Sequence, residues 1–318
     1  MALRLCKELN PLLTDDNLQR LNSRKIYTIL DLLDEPHEKI TEFTQIPKQD
    51  VLDLRDSLIA NFSSFYKDGL SIYKDMTHNS AIISSNIPRL DAVLNGGLMT
   101  GELLEVYGFS GCGKTQLCLT LTASAAARLK AHVYYIDCKN DFSGTRLQSI
   151  LYSQGVRDEE LGMAMERVQV VRPTSIHQLL TSLPYLHQQI QQKQNTSATT
   201  RLLIIDSLCS LLYPLIGDSS KMCGLLVSLG IALRQLACQL ELCVVLVNLA
   251  KHWYDAEQDE AAEELPALGK VWFSFPNSRL HMTAITDRES CVRVSVSKST
   301  RIPCNRSCVL KISSKGVE

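Results

Sequence analysis

Residues 108–115 read Gly108-Phe109-Ser110-Gly111-Cys112-Gly113-Lys114-Thr115, a complete GxxxxGK[ST] string. Glycines at this spacing let the backbone wrap closely around a polyphosphate, so that successive N–H groups and the positive end of a following helix face the same oxygens. Lys114 is then placed to reach the β- and γ-phosphates, and the Thr115 hydroxyl to hold Mg²⁺. A glycine-rich turn that merely caps a helix uses the same residue types, and the flanks separate the two readings. Leu103-Leu104-Glu105-Val106-Tyr107 before the string is strand-like, and residues 116–129 after it are helix-like, the setting a phosphate cradle requires.

A second carboxylate belongs with this loop. Leu202-Leu203-Ile204-Ile205-Asp206 is an apolar run ending in an acid. In a parallel α/β sheet the carboxyl ends of the strands open onto one crevice, which makes Asp206 the partner of Thr115 in holding Mg²⁺, against the alternative of an acidic helix cap. Tyr134-Tyr135-Ile136-Asp137 ends another strand at the same crevice, so Asp137 and Asp141 are the candidates by position for a group that orients or deprotonates water. A turn or cap role explains either aspartate equally well. The expected nucleotide-binding set is Gly108, Phe109, Ser110, Gly111, Cys112, Gly113, Lys114, Thr115 and Gln116, with ATP and Mg²⁺ as the ligands.

The elements that must position these residues are legible as a pattern. Residues 1–60 are Leu-rich helical segments punctuated at Thr14-Asp15-Asp16, Asp34-Glu35-Pro36 and Ile46-Pro47, with Thr14 and Pro47 where helix starts are expected. Residues 61–80 lack sustained periodicity and read as a linker. From residue 81 onward, short β-branched runs at 103–107, 133–137, 168–171, 202–206 and 243–248 alternate with amphipathic helices, which implies a buried, mainly parallel sheet with crossover helices. Runs at 281–286, 291–297 and 308–313 come next without a helix long enough to cross over, and are expected as antiparallel strands at the sheet's edge. The polar stretch 188–200 is expected to be a loop.

Composition bounds the rest. In 318 residues, 45% hydrophobic and 21% charged, there is material for one large core and a small accessory domain. No uninterrupted apolar run reaches the roughly 18 residues of a membrane span, and no membrane association is expected. Eleven scattered cysteines point to a reducing compartment. A net charge of −1 excludes nucleic-acid binding by bulk basicity, so any such contact needs a local patch.

Further signatures carry a family resemblance. Ile82-Ile83-Ser84-Ser85-Asn86-Ile87-Pro88-Arg89-Leu90-Asp91, then Gly96-Gly97 and Gly101-Glu102, lead to the phosphate loop, and Gly113-Lys114-Thr115-Gln116 continues it. With Ala267-Leu268-Gly269-Lys270 and Ser278-Arg279-Leu280, this resembles the RecA/RadA recombinases over essentially the whole chain. The resemblance implies a RecA-like P-loop ATPase core (81–318) behind a helix-hairpin-helix-like all-α domain (1–60). It implies a nuclear protein of homologous-recombination repair, an ATP-binding subunit that joins other recombinase paralogues in a hetero-oligomer and supports recombinase assembly on single-stranded or branched DNA. Two other readings stand beside it: an autonomous DNA-stimulated ATPase that exchanges strands itself, and a non-catalytic scaffold.

Departures from the family pattern weigh on that choice. Strand-exchanging members carry a glutamate two residues past the aspartate of the Asp137 strand, where this chain has Lys139. Their γ-phosphate sensor, a glutamine after the strand-ending asparagine, is Leu249 here, and the Phe-x-x-Ala polymerisation motif is replaced by Phe62-Ser63-Ser64-Phe65. Hydrolysis is therefore expected to be weak and self-assembly impaired.

In the family two loops face DNA, here expected at 210–222 and 249–265. The first offers Lys221 against Asp218. In the second, Lys251, Trp253 and Tyr254 could hold a single strand through one cation and two stacking faces, but Asp255, Glu257, Asp259, Glu260, Glu263 and Glu264 come after them and repel phosphate. Arg24 and Lys25, in a glycine-free hairpin turn, are the N-terminal candidates. Residues 1–75 hold 10 Lys/Arg against 13 Asp/Glu, a balance that favours protein docking there. Residues 287–318, with 7 basic against 3 acidic residues, are expected to form either a basic rim around Lys298, Arg301 and Arg306 or a solvated edge.

Overall fold

Apolar spacing and capping residues set the helices of the N-terminal part. In this computed structural model, which describes residues 4–63, 68–79, 81–194, 199–215, 219–253 and 263–318, helix α1 (Asp15–Ser23) starts where the Thr14 side chain accepts from the Asn17 N–H. A reciprocal capping box between Thr28 and Asp31 starts α2 (Ile29–Asp34). Pro36 and Pro47 precede α3 (His37–Thr44) and α4 (Lys48–Phe62), and Leu13, Leu21, Leu32, Ile40, Leu54 and Leu58 form their common core. Lys25 and Gln45, at φ 65° and 62°, take the left-handed positions in the two turns that glycine would otherwise fill. The 61–80 segment, expected as a linker, holds a further helix, α5 (Gly69–Asn79). The chain divides into two compact units, Met1–Lys74 and Asp75–Glu318.

The second unit opens with β1 (Ile82–Ile83), α6 (Pro88–Val93) and β2 (Leu98–Met99), β1 pairing antiparallel with β2. The Asp91 carboxylate ties this lead-in together by accepting from the Ser84 hydroxyl at 2.6 Å and from Ser85 N–H and Oγ at 2.9 and 2.5 Å. A side chain at Gly97 would meet the Ile83 carbonyl oxygen at 2.2 Å, so the turn needs glycine there. The alternation then runs β3 (Leu103–Gly108), α7 (Lys114–Ala127), β4 (His132–Asp137), α8 (Gly144–Ser153), α9 (Asp158–Glu166), β5 (Val168–Val171), α10 (Ile176–Gln194), β6 (Thr200–Asp206), α11 (Leu208–Leu212), α12 (Ser219–Leu240) and β7 (Cys243–Trp253). The chain ends with β8 (Glu263–Pro266), α13 (Gly269–Phe273), β9 (Ser278–Ala284), β10 (Cys291–Ser299), β11 (Ser307–Ser313) and β12 (Gly316–Val317).

Among the described residues the main sheet has ten strands in the order β12-β11-β10-β9-β3-β7-β6-β4-β5, with β8 paired to β7. Strands β9, β3, β7, β6, β4 and β5 are parallel, while β10, β11 and β12 are antiparallel. The fold is the expected mainly parallel α/β sheet closed by antiparallel C-terminal strands, except that antiparallel order begins one strand later: β9 lies parallel to β3. The order places β3 between β7 and β9, so the phosphate loop leaves the middle of the sheet.

Two sequence expectations change. Residues 188–194, expected in a loop, complete α10, because Ile190 and Leu186 keep its apolar face buried. The first expected DNA loop, 210–222, is largely helical: α11, a 3-10 turn at Tyr213–Leu215 and the start of α12, which carries Lys221. Its Asp218 lies outside the described residues. Helix α12 is long and apolar enough to cross a membrane by length and composition alone, which the broken apolar run in the sequence hid. Its Leu226, Leu229, Leu233 and Leu236 are buried against the sheet, and Arg234 is held by the Ser274 and Phe275 carbonyls, as in a core helix.

Candidate nucleotide-binding site

Backbone geometry builds the cradle. Gly111 and Gly113 stand at φ +82° and +92°, and a side chain at Gly108 would meet the Met282 carbonyl oxygen at 2.2 Å, while one at Gly113 would meet Ile312 Cδ1 at the same distance. Lys114 is buried, and its ammonium donates to the Gly108 and Phe109 carbonyls at 2.7 Å each. Burial lowers its pKa from the ordinary lysine value. The Phe109 ring packs on His252 at 4.5 Å, joining the loop to the far end of β7. The Gln116 side-chain oxygen accepts from Arg146 Nε at 2.8 Å, and Arg146 also reaches the Ser313 and Ser314 carbonyls.

Asp206 ends β6 at the loop. Its Oδ2 accepts from the Thr115 hydroxyl at 2.6 Å and from the Tyr135 hydroxyl at 3.0 Å. Burial, then the charges nearby, raise the Tyr135 pKa far above the ordinary phenol value, which keeps the hydroxyl a donor. Asp206 Oδ1 is buried and makes no hydrogen bond; Lys139 Nζ is 3.4 Å away. A buried carboxylate oxygen free of hydrogen bonds beside a threonine hydroxyl fits a hard divalent cation, so the Thr115–Asp206 pair suits Mg²⁺. Lys139 also pairs with Asp141 at 3.0 Å. Burial alone would lower the Lys139 pKa, but Asp206 and Asp141 outweigh it and raise it, holding the side chain as a cation.

The two candidates for water activation separate. Asp137 is 1% exposed and accepts from the backbone N–H groups of Lys139, Asp141 and Phe142 at 3.3, 3.0 and 3.2 Å, and from Arg172 Nε at 3.2 Å. Its oxygens hold the turn together, so it acts as a structural cap instead of a base. Asp141 is more exposed but tied to Lys139.

A polar network behind the site had only one sequence signal, the acid inside the apolar β3 run. Glu105, fully buried, accepts from Asn248 Nδ2 at 2.7 Å, Trp272 Nε1 at 2.9 Å and Arg279 Nε. Asn248 in turn accepts from Cys209 Sγ at 2.8 Å, linking the middle of β7 to the start of α11. Leu249, at the expected sensor position, packs into the apolar cluster under this face.

The expected second DNA loop is instead a hairpin at its base. Strand β7 continues through Lys251, His252 and Trp253, which pair with Leu265, Glu264 and Glu263 of β8. Glu264 leaves the acidic run to bond His281 at 2.8 Å, and His281 stacks on Tyr107 with ring centroids 4.5 Å apart. Tyr254, Asp255, Glu257, Asp259 and Glu260 lie outside the described residues. Arg24 is exposed, with its guanidinium 5.7 Å from the centre of the Phe43 ring, and Lys25 is exposed in the adjoining turn. Of the expected rim cations, Arg301 pins the edge to the core through the Leu94 and Gly97 carbonyls at 2.7 and 2.9 Å, while the half-buried Lys298 and the exposed Arg306 bond the Phe273 and Ala92 carbonyls at the surface.

The sequence model of the Rad51 family matches residues 78–318. The chain belongs to the Rad51 family. It is 32% identical over 298 residues to the bovine DNA repair protein RAD51 homolog 4, covering 92% of this chain and 90% of that one. The mouse RAD51 homolog 4 is 32% identical over 315 residues, 97% of this chain and 94% of the relative. A probable RAD51 homolog 4 from Dictyostelium discoideum is 24% identical over 330 residues, covering 92% and 91%. The chain is thus a recombinase paralogue of the RecA/RadA family, similar over most of its length to homolog 4, and its relatives are named for DNA repair.

Proposed function

We propose that this Rad51-family chain is an ATP-binding subunit of a nuclear, heteromeric recombinase-paralogue complex that assists homologous-recombination repair by supporting recombinase assembly on single-stranded DNA. The observation that carries the nucleotide part is the Thr115–Asp206 contact at 2.6 Å beside the glycine loop, with Asp206 Oδ1 buried and free of hydrogen bonds. Lys114 and the loop N–H groups bind the phosphates, and Thr115 and Asp206 hold Mg²⁺, which neutralises phosphate charge when bound. No described carboxylate stands ready to activate water: Asp137 caps its turn and Asp141 is tied to Lys139. ATP therefore serves chiefly as a switch and as glue between neighbouring protomers. Partners bind through protein surfaces of the N-terminal unit and the core. DNA contact runs through the complex, with Lys251 and Trp253 on the β7 end, Tyr254 beyond it, and Arg24 and Lys25 as its candidates in this chain.

Titration with a fluorescent ATP analogue in Mg²⁺ tests the reading. The intact chain should bind and hydrolyse slowly, and Lys114→Ala should lose binding by removing the main cationic phosphate contact. Turnover on the order of 1 s⁻¹ or faster, a rate typical of enzymes, would favour the autonomous ATPase instead. Sedimentation of the chain alone should show no long filaments with ATP, whereas mixing with related paralogues should give discrete hetero-oligomers.

A further inference from the structure

We propose that Lys139 is a resident cation of the nucleotide crevice that takes over part of magnesium's work, so that nucleotide binding by this chain depends only weakly on the metal. The inference deepens the nucleotide-binding reading and rests on it. Its starting point is the unequal treatment of the two Asp206 oxygens. Oδ2 has the Thr115 and Tyr135 hydroxyls, whereas Oδ1 has no hydrogen bond and faces the Lys139 ammonium at 3.4 Å. A carboxylate only 1% exposed needs a counter-charge, and among the described residues Lys139 is the cation in ion-pair contact with it.

The ammonium is held in place rather than free to swing out. Its side chain is 32% exposed and is also bound by Asp141 Oδ2 at 3.0 Å. The backbone N–H groups of both Lys139 and Asp141 donate to Asp137 Oδ1, so a buried carboxylate fixes the turn that carries them. A positive charge thus stands permanently at the oxygen a divalent ion would use. That has two consequences of the same sign. The fixed charge opposes a metal ion at Asp206, and it attracts phosphate to the loop together with Lys114, metal or no metal. A carboxylate at position 139 would do the reverse, favouring the metal and repelling the phosphates.

The test is a titration of the full-length chain with the fluorescent nucleotide mant-ATP, in Mg²⁺ and in EDTA, with the Mg²⁺ concentration for half-maximal binding as a second readout. The wild-type chain should lose about tenfold or less in affinity when the metal is removed. In Lys139→Met the metal-free affinity should fall by a further factor of roughly ten to a hundred, the worth of one charge-assisted hydrogen bond, and less Mg²⁺ should be needed to restore binding. Lys139→Arg should behave as wild type because the charge stays. Lys139→Gln carries the same expectation as the Met variant and replaces it should that variant misfold. Equal losses with and without metal, or an unchanged metal dependence in all variants that bind in Mg²⁺, would overturn the inference alone. Failure of the wild-type chain to bind mant-ATP even in Mg²⁺ would overturn the nucleotide reading and this inference with it.

Discussion

Asp137 and Asp206 end neighbouring parallel strands, sit directly opposite each other in register, and are each 1% exposed. Their fates differ because the chain takes a different course after each. Beyond Asp137 it turns back so that three of its own N–H groups close on the carboxylate, and Arg172 completes the shell. Beyond Asp206 it enters α11, and the carboxylate finds its partners on other elements: Thr115 from the phosphate loop, Tyr135 from β4 and the Lys139 charge. A buried acid saturated by its own turn is structural, whereas one left with an unbonded oxygen beside a phosphate loop has capacity for a ligand.

A third buried acid, Glu105, resembles Asp137 in being saturated. Glu105→Gln leaves the Arg279 charge buried without its partner and should cost about 3–5 kcal/mol in the core's denaturant unfolding. A loss below about 1 kcal/mol would show that saturation is not what these acids contribute. Asp137→Asn should cost about 1.5–3 kcal/mol, since charge-assisted bonds to backbone N–H groups and an exposed arginine are weakened together. Asp206→Asn should cost a comparable amount, about 1.5–3 kcal/mol, because the bonds from the Thr115 and Tyr135 hydroxyls and the Lys139 ion pair weaken together. Unlike Asp137→Asn, it should also abolish whatever increment Mg²⁺ adds to mant-ATP affinity. If Asp137→Asn loses that increment and Asp206→Asn keeps it, the assignment of roles is inverted.

The smallest effect is expected at Cys138. Burial, then Asp206, then Asp137, push the Cys138 thiol up to about 12, with Lys139 opposing. The reactive thiolate forms only as pH approaches that value, so at pH 8 a thiol reagent should spare Cys138 while labelling the exposed Cys238 and Cys304. Neutralising Asp206 should bring Cys138 labelling to lower pH more than neutralising Asp137 does. Equal shifts, read by mass spectrometry of the labelled peptides, would argue that the two carboxylates act on the crevice alike.

Where structure depends on neighbours in sequence, the residues alone determined it. The glycines and Lys114-Thr115 specify the phosphate loop because its N–H groups come from consecutive residues, and Thr14 marks a helix start because its acceptor reaches three residues on. The apolar runs 103–107 and 202–206 specify strands because a sheet buried on both faces demands them. Tertiary structure alone decided what depends on distant partners. Lys251–Trp253 extend β7 because β8 supplies the opposing strand, and 188–194 stay helical because Ile190 is buried in the core. Arg301 became a pin instead of a rim because the Leu94 and Gly97 carbonyls, some two hundred residues earlier, lie within its reach. Lys139 reads in sequence as the loss of an acid. Only the packing of its turn against β6 made it the cation at Asp206, since the effect of a charge is set by distance in space and by the water its neighbours exclude.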